Sequence, residues 1–81
     1  MYTKEYTTAN GGIYKVSVCE DRDNKDSLEV VIRYNGVLVA LLYHPKDKVI
    51  GLDSRVKEEC EDHYNRWPNV EKTLFEFGYE L

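Results

Sequence analysis

The sequence predicts an α+β domain, in which a four-stranded antiparallel sheet of two β-hairpins precedes two C-terminal helices packed on one of its faces. Four stretches rich in apolar and aromatic residues occupy the first half of the chain, joined in pairs by Asn-Gly-Gly and by Asn-Gly. Such pairs are typical of hairpin turns. The second half instead repeats apolar residues every three or four positions, as amphipathic helices do. Strands followed by helices are the order of α+β proteins.

Size and composition indicate one domain, spanning residues 1–81. A chain of 81 residues has no room for a second core, and a hydrophobic content of 42% excludes a wholly disordered protein. No apolar run approaches the roughly 18–20 residues that span a bilayer, and the N-terminal segment lacks the apolar core of a signal peptide. We therefore expect no membrane contact and a cytoplasmic location in the host cell.

The first hairpin is predicted to pair residues 2–8 with 13–20 around Asn10-Gly11-Gly12. A two-residue loop would place three polar side chains of the first strand on the core face, because the side-chain period of a strand is two. A three-residue loop with Gly12 left-handed instead places Tyr6 beside Val16, and the aliphatic stem of Lys4 beside Val18. The second arrangement buries more apolar surface, so we favour it.

The second hairpin is predicted to pair residues 28–34 with 37–44 through a type I′ turn at Asn35-Gly36. This register pairs Tyr34 with Val37, Ile32 with Val39, Val30 with Leu41, and Leu28 with Tyr43. All eight of these side chains are apolar or aromatic, and they share the core face. The outer face of the hairpin then holds Val31, Leu38, Ala40 and Leu42, with Glu29, Arg33 and His44 as its polar residues.

Residues after Pro45 are predicted to be mainly helical, although residues 49–52 also fit a short fifth strand. The first helix spans about 54–67, capped by Asp53 or Ser54. Its apolar stripe is Val56, Cys60, Tyr64 and Trp67, and Pro68 ends it. The second helix spans about 70–77, capped by Asn69 and closed by Gly78, with Val70, Leu74 and Phe77 on one side.

Two surfaces are candidate partner-binding sites. The outer face of the second hairpin is apolar where an uncovered sheet face is normally polar, so Val31, Leu38 and Leu42 are expected either to bind another chain or to be covered by a helix. The other candidate is an acidic face of the first helix. Residues 53–81 carry the whole net charge of −4, and Glu58, Glu61 and Asp62 are predicted to lie opposite the apolar stripe.

No catalytic residue, cofactor or metal site is predicted. The chain has no nucleophile elbow, phosphate-binding loop, dinucleotide fingerprint or zinc-protease motif. Cys19, His44, Cys60 and His63 are zinc-ligand types, but they lack the paired spacing of structural zinc sites. Acidic neighbours on both sides of Cys60 should raise the pKa of its thiol, which opposes a nucleophilic role.

These features favour a small acidic protein-binding module that masks a partner surface, and not an enzyme. A short, acidic, aromatic-rich chain without catalytic motifs resembles, in general character, the small inhibitors encoded by phages and mobile elements, among them anti-CRISPR proteins. That resemblance implies an inhibitor of a host defence protein. The acidic face of the first helix, for its part, favours a partner with a basic or nucleic-acid-binding surface. A homodimer through the outer face of the second hairpin is a further expectation.

Two alternatives stay open. One is a nucleic-acid-binding sheet that stacks bases on tyrosine and contacts phosphates through Lys4, Lys15 and Arg33. Direct binding of this kind is disfavoured because the chain is acidic and its tyrosines are predicted to point into the core. The less favoured alternative is a small metal-binding or thiol enzyme that uses Cys60 and His63.

Overall fold

The computed structural model describes residues 1–81 and confirms the α+β architecture. Its antiparallel sheet has the strand order β1-β2-β3-β4, and a bent C-terminal helical segment packs on one face. A 3₁₀ turn connects the sheet to this segment. The bounds are β1 Tyr2–Thr7, β2 Ile13–Glu20, β3 Ser27–Tyr34, β4 Val37–Pro45, the 3₁₀ turn Lys46–Gly51, α1 Leu52–Arg66 and α2 Pro68–Glu76.

The first hairpin has the predicted three-residue loop, one position earlier than expected. The Thr8 N–H donates to the Gly12 carbonyl at 2.8 Å, and the Gly11 N–H donates to the Thr8 carbonyl at 3.0 Å. Tyr6 therefore lies opposite Tyr14, not Val16, although it keeps the predicted face. The left-handed glycine is Gly11, with φ of 92°, so the assignment to Gly12 was wrong.

Gly12 is required for a different reason, which is close packing. A Cβ atom at this position would lie 2.3 Å from Cδ1 of the Tyr64 ring. No side chain fits there unless the ring moves. The first hairpin therefore packs directly against α1 through the contact between Gly12 and Tyr64.

The second hairpin confirms the type I′ turn, since Asn35 has φ of 52° and Gly36 has φ of 79°. Beyond the Tyr34–Val37 pair the register shifts, and Ile32 lies opposite Ala40 while Arg33 lies opposite Leu38. One residue of β4 thus has no partner, which is the pattern of a β-bulge. The remaining pairings that we predicted were therefore wrong: Ile32 with Val39, Val30 with Leu41, and Leu28 with Tyr43.

The bulge reverses the faces of the second half of β4. Leu41 and Tyr43, predicted in the core, are 45% and 51% exposed, whereas Ala40 and Leu42 pack against the core. His44 is also buried, and its Nε2 lies 2.7 Å from the Lys48 carbonyl. Because β4 is apolar on both faces, side-chain alternation does not specify its register.

The segment after β4 forms the 3₁₀ turn and not the fifth strand that we considered. Two hydrogen bonds hold the first half of this turn. The Lys46 N–H donates to the Asp26 carbonyl at 2.9 Å, and the Lys48 carbonyl is bound by His44. This turn reverses the chain so that α1 lies across the sheet.

The buried side of α1 consists of Val56, Cys60 and Tyr64, as predicted. Trp67, expected to continue that stripe, is 57% exposed because the backbone bends at this residue. The predicted cap was also wrong, since Gly51 occupies the N-cap without a side-chain hydrogen bond. Asp53 lies in the first turn and forms an ion pair with Lys4.

The second helix begins directly at Pro68, so Asn69 does not cap it. Its C-terminal end follows the prediction. Gly78 has φ of 96°, its N–H donates to the Phe75 carbonyl, and the Tyr79 N–H donates to the Leu74 carbonyl at 3.1 Å. These two bonds are those of a Schellman motif.

The core is small and lies between the sheet and α1. Besides the hydrophobic core, three polar residues are buried, namely Thr8, Ser27 and His44. Every buried side-chain polar atom has a hydrogen-bond partner. No helix is both long and apolar enough to cross a membrane. The buried hydrophobic residues are Tyr14, Val16, Val30, Ile32, Val56, Cys60 and Tyr64.

Candidate functional site

The uncovered face of the second hairpin has an apolar surface, which we call the outer patch and define as Val31, Leu38, Leu41 and Tyr43. Val31 lies opposite Leu41 in the sheet, and Leu38 and Tyr43 lie on either side of this pair along β4. Leu38 and Tyr43 are each about half exposed, at 52% and 51%. The helices lie on the other face, so this patch has no cover within the chain.

The outer patch differs from the predicted surface in two residues. Val31 and Leu38 are where we expected them, but Leu42 and Ala40 face the core. Leu41 and Tyr43 take their places because of the bulge. The apolar outer face is thus present, with a composition that the alternation pattern alone gave incorrectly.

Charged side chains lie beside the outer patch. Lys15 and Arg33 are directly opposite each other on β2 and β3, and neither forms an ion pair. Like charges in that position destabilise a sheet slightly. Glu29 lies opposite Tyr43 and accepts a long hydrogen bond from the Cys19 thiol at 3.8 Å. An apolar centre with a charged rim is the usual anatomy of a protein interface.

The acidic residues of α1 do not form one solvated face. Glu61 faces the first hairpin, and its two carboxylate oxygens accept the Ala9 N–H at 2.7 and 3.3 Å. Asp62 forms an ion pair with Arg66 one turn later. Only Glu58 is exposed without an ion pair. The expected placement of Glu61 opposite the apolar stripe was therefore wrong.

Cys60 and His63 are both committed to other contacts. Cys60 is completely buried, and burial, followed by the charges of Glu59 and Glu61, raises the pKa of its thiol to about 11. The upward direction agrees with the prediction. Nδ1 of His63 lies 2.6 Å from the Tyr14 hydroxyl, whose pKa is raised mainly by burial. A neutral thiol and an occupied imidazole nitrogen do not make an activated nucleophile.

The four zinc-ligand types are not assembled. Cys19 lies on the outer face, His44 is bonded to Lys48, and Cys60 and His63 belong to the helix side of the sheet. No group of three or more histidine, cysteine, aspartate or glutamate side chains is placed to hold a metal ion.

A second apolar surface was missed by sequence reasoning. We call residues 67–81 the arm, since this segment contains α2 and the chain that follows it. None of the residues of α2 is buried. The only signal in the sequence was that aromatic residues lie on more than one side of this short helix. Its most exposed apolar side chains are Trp67 at 57%, Phe75 at 75%, Phe77 at 73%, Tyr79 at 66% and Leu81.

Comparison with protein-family models, with curated proteins and with solved structures finds no match to this chain.

Proposed function

We propose that this chain is a protein-binding module that acts by masking a surface of its partner. The observation that supports the proposal best is the outer patch, an apolar area on a sheet face that nothing in the chain covers. Water-exposed sheet faces are normally polar, and exposed apolar patches of this kind occur at interaction sites. The buried, neutral Cys60 supports a role in binding over one in catalysis.

The partner surface that fits this face is apolar at its centre. Leu38, Leu41 and Tyr43 would bury against it, and tyrosine is one of the residue types that often contribute strongly to such contacts. The charged side chains beside the patch, Lys15, Arg33 and Glu29, would lie at the rim of that contact and act mainly on the association rate. Glu58 lies on the solvent side of α1, across the sheet from the outer patch, and would not touch a partner bound there. We propose further that the module is an inhibitor of phage or mobile-element type acting in the host cytoplasm, which rests on general character alone.

The experiment begins with capture from host lysate of a protein that is then identified and purified. Binding kinetics of the purified partner are measured with the wild type and with Leu41→Glu/Tyr43→Ser. We expect the double variant to weaken binding at least 100-fold, because two central anchors are lost, each worth about 1–2 kcal/mol or more. Unchanged far-ultraviolet circular dichroism and urea midpoint confirm that the variant is folded.

The matched control is Glu58→Gln, which leaves the outer patch intact. Both rate constants should stay within about twofold of the wild type, because Glu58 lies on the helix side of the sheet and its charge is screened from the outer patch. Capture of chaperones alone, or an outer-patch variant that binds as the wild type does, would refute the proposal.

A nucleic-acid-binding sheet is a second candidate because Lys15 and Arg33 lie side by side on the outer face, which Tyr43 shares. Lys4, also predicted to contact phosphate, is instead paired with Asp53. Labelled single-stranded DNA and RNA test this directly. Binding that weakens steeply with salt and is lost in Lys15→Gln/Arg33→Gln would favour this function.

A further inference from the structure

The arm is poorly integrated into the fold. α2 packs against α1 and makes little contact with the strands. The molecule is accordingly elongated, with a radius of gyration of 14.7 Å and a longest extent of 50 Å. A compact chain of this length has a radius of gyration of about 12 Å. The arm therefore extends the molecule beyond the sheet and exposes its side chains on several sides.

The exposed apolar area of the arm is close to the area that one partner contributes to a stable protein interface. An aromatic side chain has roughly 150–250 Å² to bury, and Trp67, Phe75, Phe77 and Tyr79 are each more than half exposed. These four side chains alone therefore present roughly 400–700 Å². Leu81 and the one-third-exposed Val70 and Leu74 bring the area close to the roughly 800 Å² that each partner contributes to a standard stable interface.

A second copy of the chain accounts for this area most directly. When two arms pack against each other about a two-fold axis, each copy contributes an equal apolar area. Two-fold dimers are also the commonest closed assemblies. The contact uses the same surface of both copies, so the assembly is complete at two copies and no arm is left unpaired. Dimerisation would also add to the stability of a small domain, since only seven hydrophobic side chains form the core and both cysteines are free.

We propose that two copies of this chain associate through their arms, with the aromatic side chains of residues 67–81 forming a shared core at the two-fold axis. This dimer leaves the outer patch free, so it is independent of the partner binding proposed above. Each dimer then displays two outer patches, which would bind a repeated or dimeric partner with higher avidity than a monomer can.

Sedimentation velocity across a range of protein concentrations tests the proposal. The wild type should pass from monomer to dimer as concentration rises. Trp67 is the only tryptophan in the chain, and it lies in the arm. Its fluorescence should shift to shorter wavelength, and its quenching by acrylamide should fall, over the same concentration range as the mass increases.

Two matched variants locate the interface. Phe75→Glu/Phe77→Glu should raise the dimer dissociation constant at least 100-fold, because aromatic anchors are lost and like charges meet across the axis. Leu41→Glu/Tyr43→Ser, in the outer patch, should leave that constant within about threefold, since the outer patch lies outside the proposed contact. The arm variant should still bind the partner captured by the outer patch, which separates this proposal from the preceding one.

A wild type that stays monomeric at all accessible concentrations overturns the proposal. So does a dimer that is lost in the outer-patch variant and kept in the arm variant, which would instead indicate the homodimer through the second hairpin. If the arm variant does not fold, acrylamide quenching of the wild type decides. Dimerisation without protection of Trp67 would then exclude the arm.

Discussion

At the scale of single residues, Glu61 shows how a charge in an acidic run acquires a structural role. Its neighbours Glu58 and Asp62 face solvent, whereas its carboxylate accepts a backbone N–H from the loop of the first hairpin. A hydrogen bond to an ionised group contributes about 1.5–3 kcal/mol, more than a bond between neutral groups. Glu61 therefore joins α1 to the β1–β2 loop.

We expect Glu61→Gln to lower the free energy of unfolding by about 1 kcal/mol, because the amide retains an acceptor but loses the charge. Glu58→Gln is the control and should change stability by less than about 0.5 kcal/mol, since Glu58 is exposed and has no partner. Urea unfolding of both variants provides the measurement. Equal stabilities for the two would show that the Ala9 contact contributes nothing.

The buried thiol of Cys60 predicts a loss of stability at alkaline pH. In the unfolded chain the thiol ionises near its ordinary pKa of 9.0, and in the folded protein its pKa is about 11. Between these values the folded state keeps a proton that the unfolded state has lost. The stabilising contribution is therefore complete below pH 9 and is lost as the pH rises through 11.

Urea midpoints measured from pH 8 to 11 should fall through this window. Cys60→Ala should reduce the fall, and the remainder reflects Tyr14, whose pKa burial also raises. A flat profile in the wild type would contradict the burial of Cys60.

At the scale of elements, the register of β4 decides which surface the protein presents. Leu42 packs on the core, and Leu41, one residue earlier, is 45% exposed on the outer face. Leu42→Asp should lower stability by several kcal/mol, because it introduces a carboxylate without a partner against the core. Leu41→Asp should change it by less than about 1 kcal/mol.

Circular dichroism and urea unfolding of this pair distinguish the two registers, since the continuous hairpin without a bulge predicts the opposite order. The same comparison bears on the binding test, because any outer-patch variant must leave the fold intact. A Leu42→Asp protein that unfolds cooperatively near the wild-type midpoint would support the register without a bulge.

What the sequence predicted well has a local cause. The type I′ turn follows from the two positive-φ residues Asn35 and Gly36, and the Schellman end of α2 follows from Gly78. The buried stripe of α1 follows from its four-residue spacing. Each of these depends on the conformational preferences of a few adjacent residues, so a single sequence is enough.

What the sequence did not predict depends on contacts between distant segments. Alternation does not position the bulge in β4, because every residue from Val37 to Leu42 is apolar. Gly12 is restricted by the Tyr64 ring, and Glu61 by the Ala9 N–H, both about fifty residues away. The outer patch was therefore predicted on the correct face with half of its composition, and the arm was not predicted at all.

At the scale of the whole molecule, the structure separates a folding unit from an exposed extension. All seven hydrophobic residues of the core lie between Tyr14 and Tyr64, whereas the arm contributes none of them. The net negative charge is likewise confined to one part of the chain, on α1 and the arm. The sheet with α1 thus contains the stabilising core, and the arm is available for contact with another molecule.

This separation predicts that a chain ending at Arg66 still folds. Removing the arm eliminates the contacts of Val70 and Leu74, which are one-third exposed, so the cost should be roughly 2 kcal/mol for two partly buried side chains. For a domain of this size that corresponds to a melting temperature lower by roughly 8–16 °C.

Thermal unfolding should be compared at concentrations low enough for the full-length protein to be monomeric, because dimerisation would add to its apparent stability. The shortened chain should show cooperative unfolding and a sedimentation coefficient independent of concentration. A shortened chain without a cooperative transition would show that the arm belongs to the folding unit, and one that still dimerises would place the interface of the dimer on the sheet.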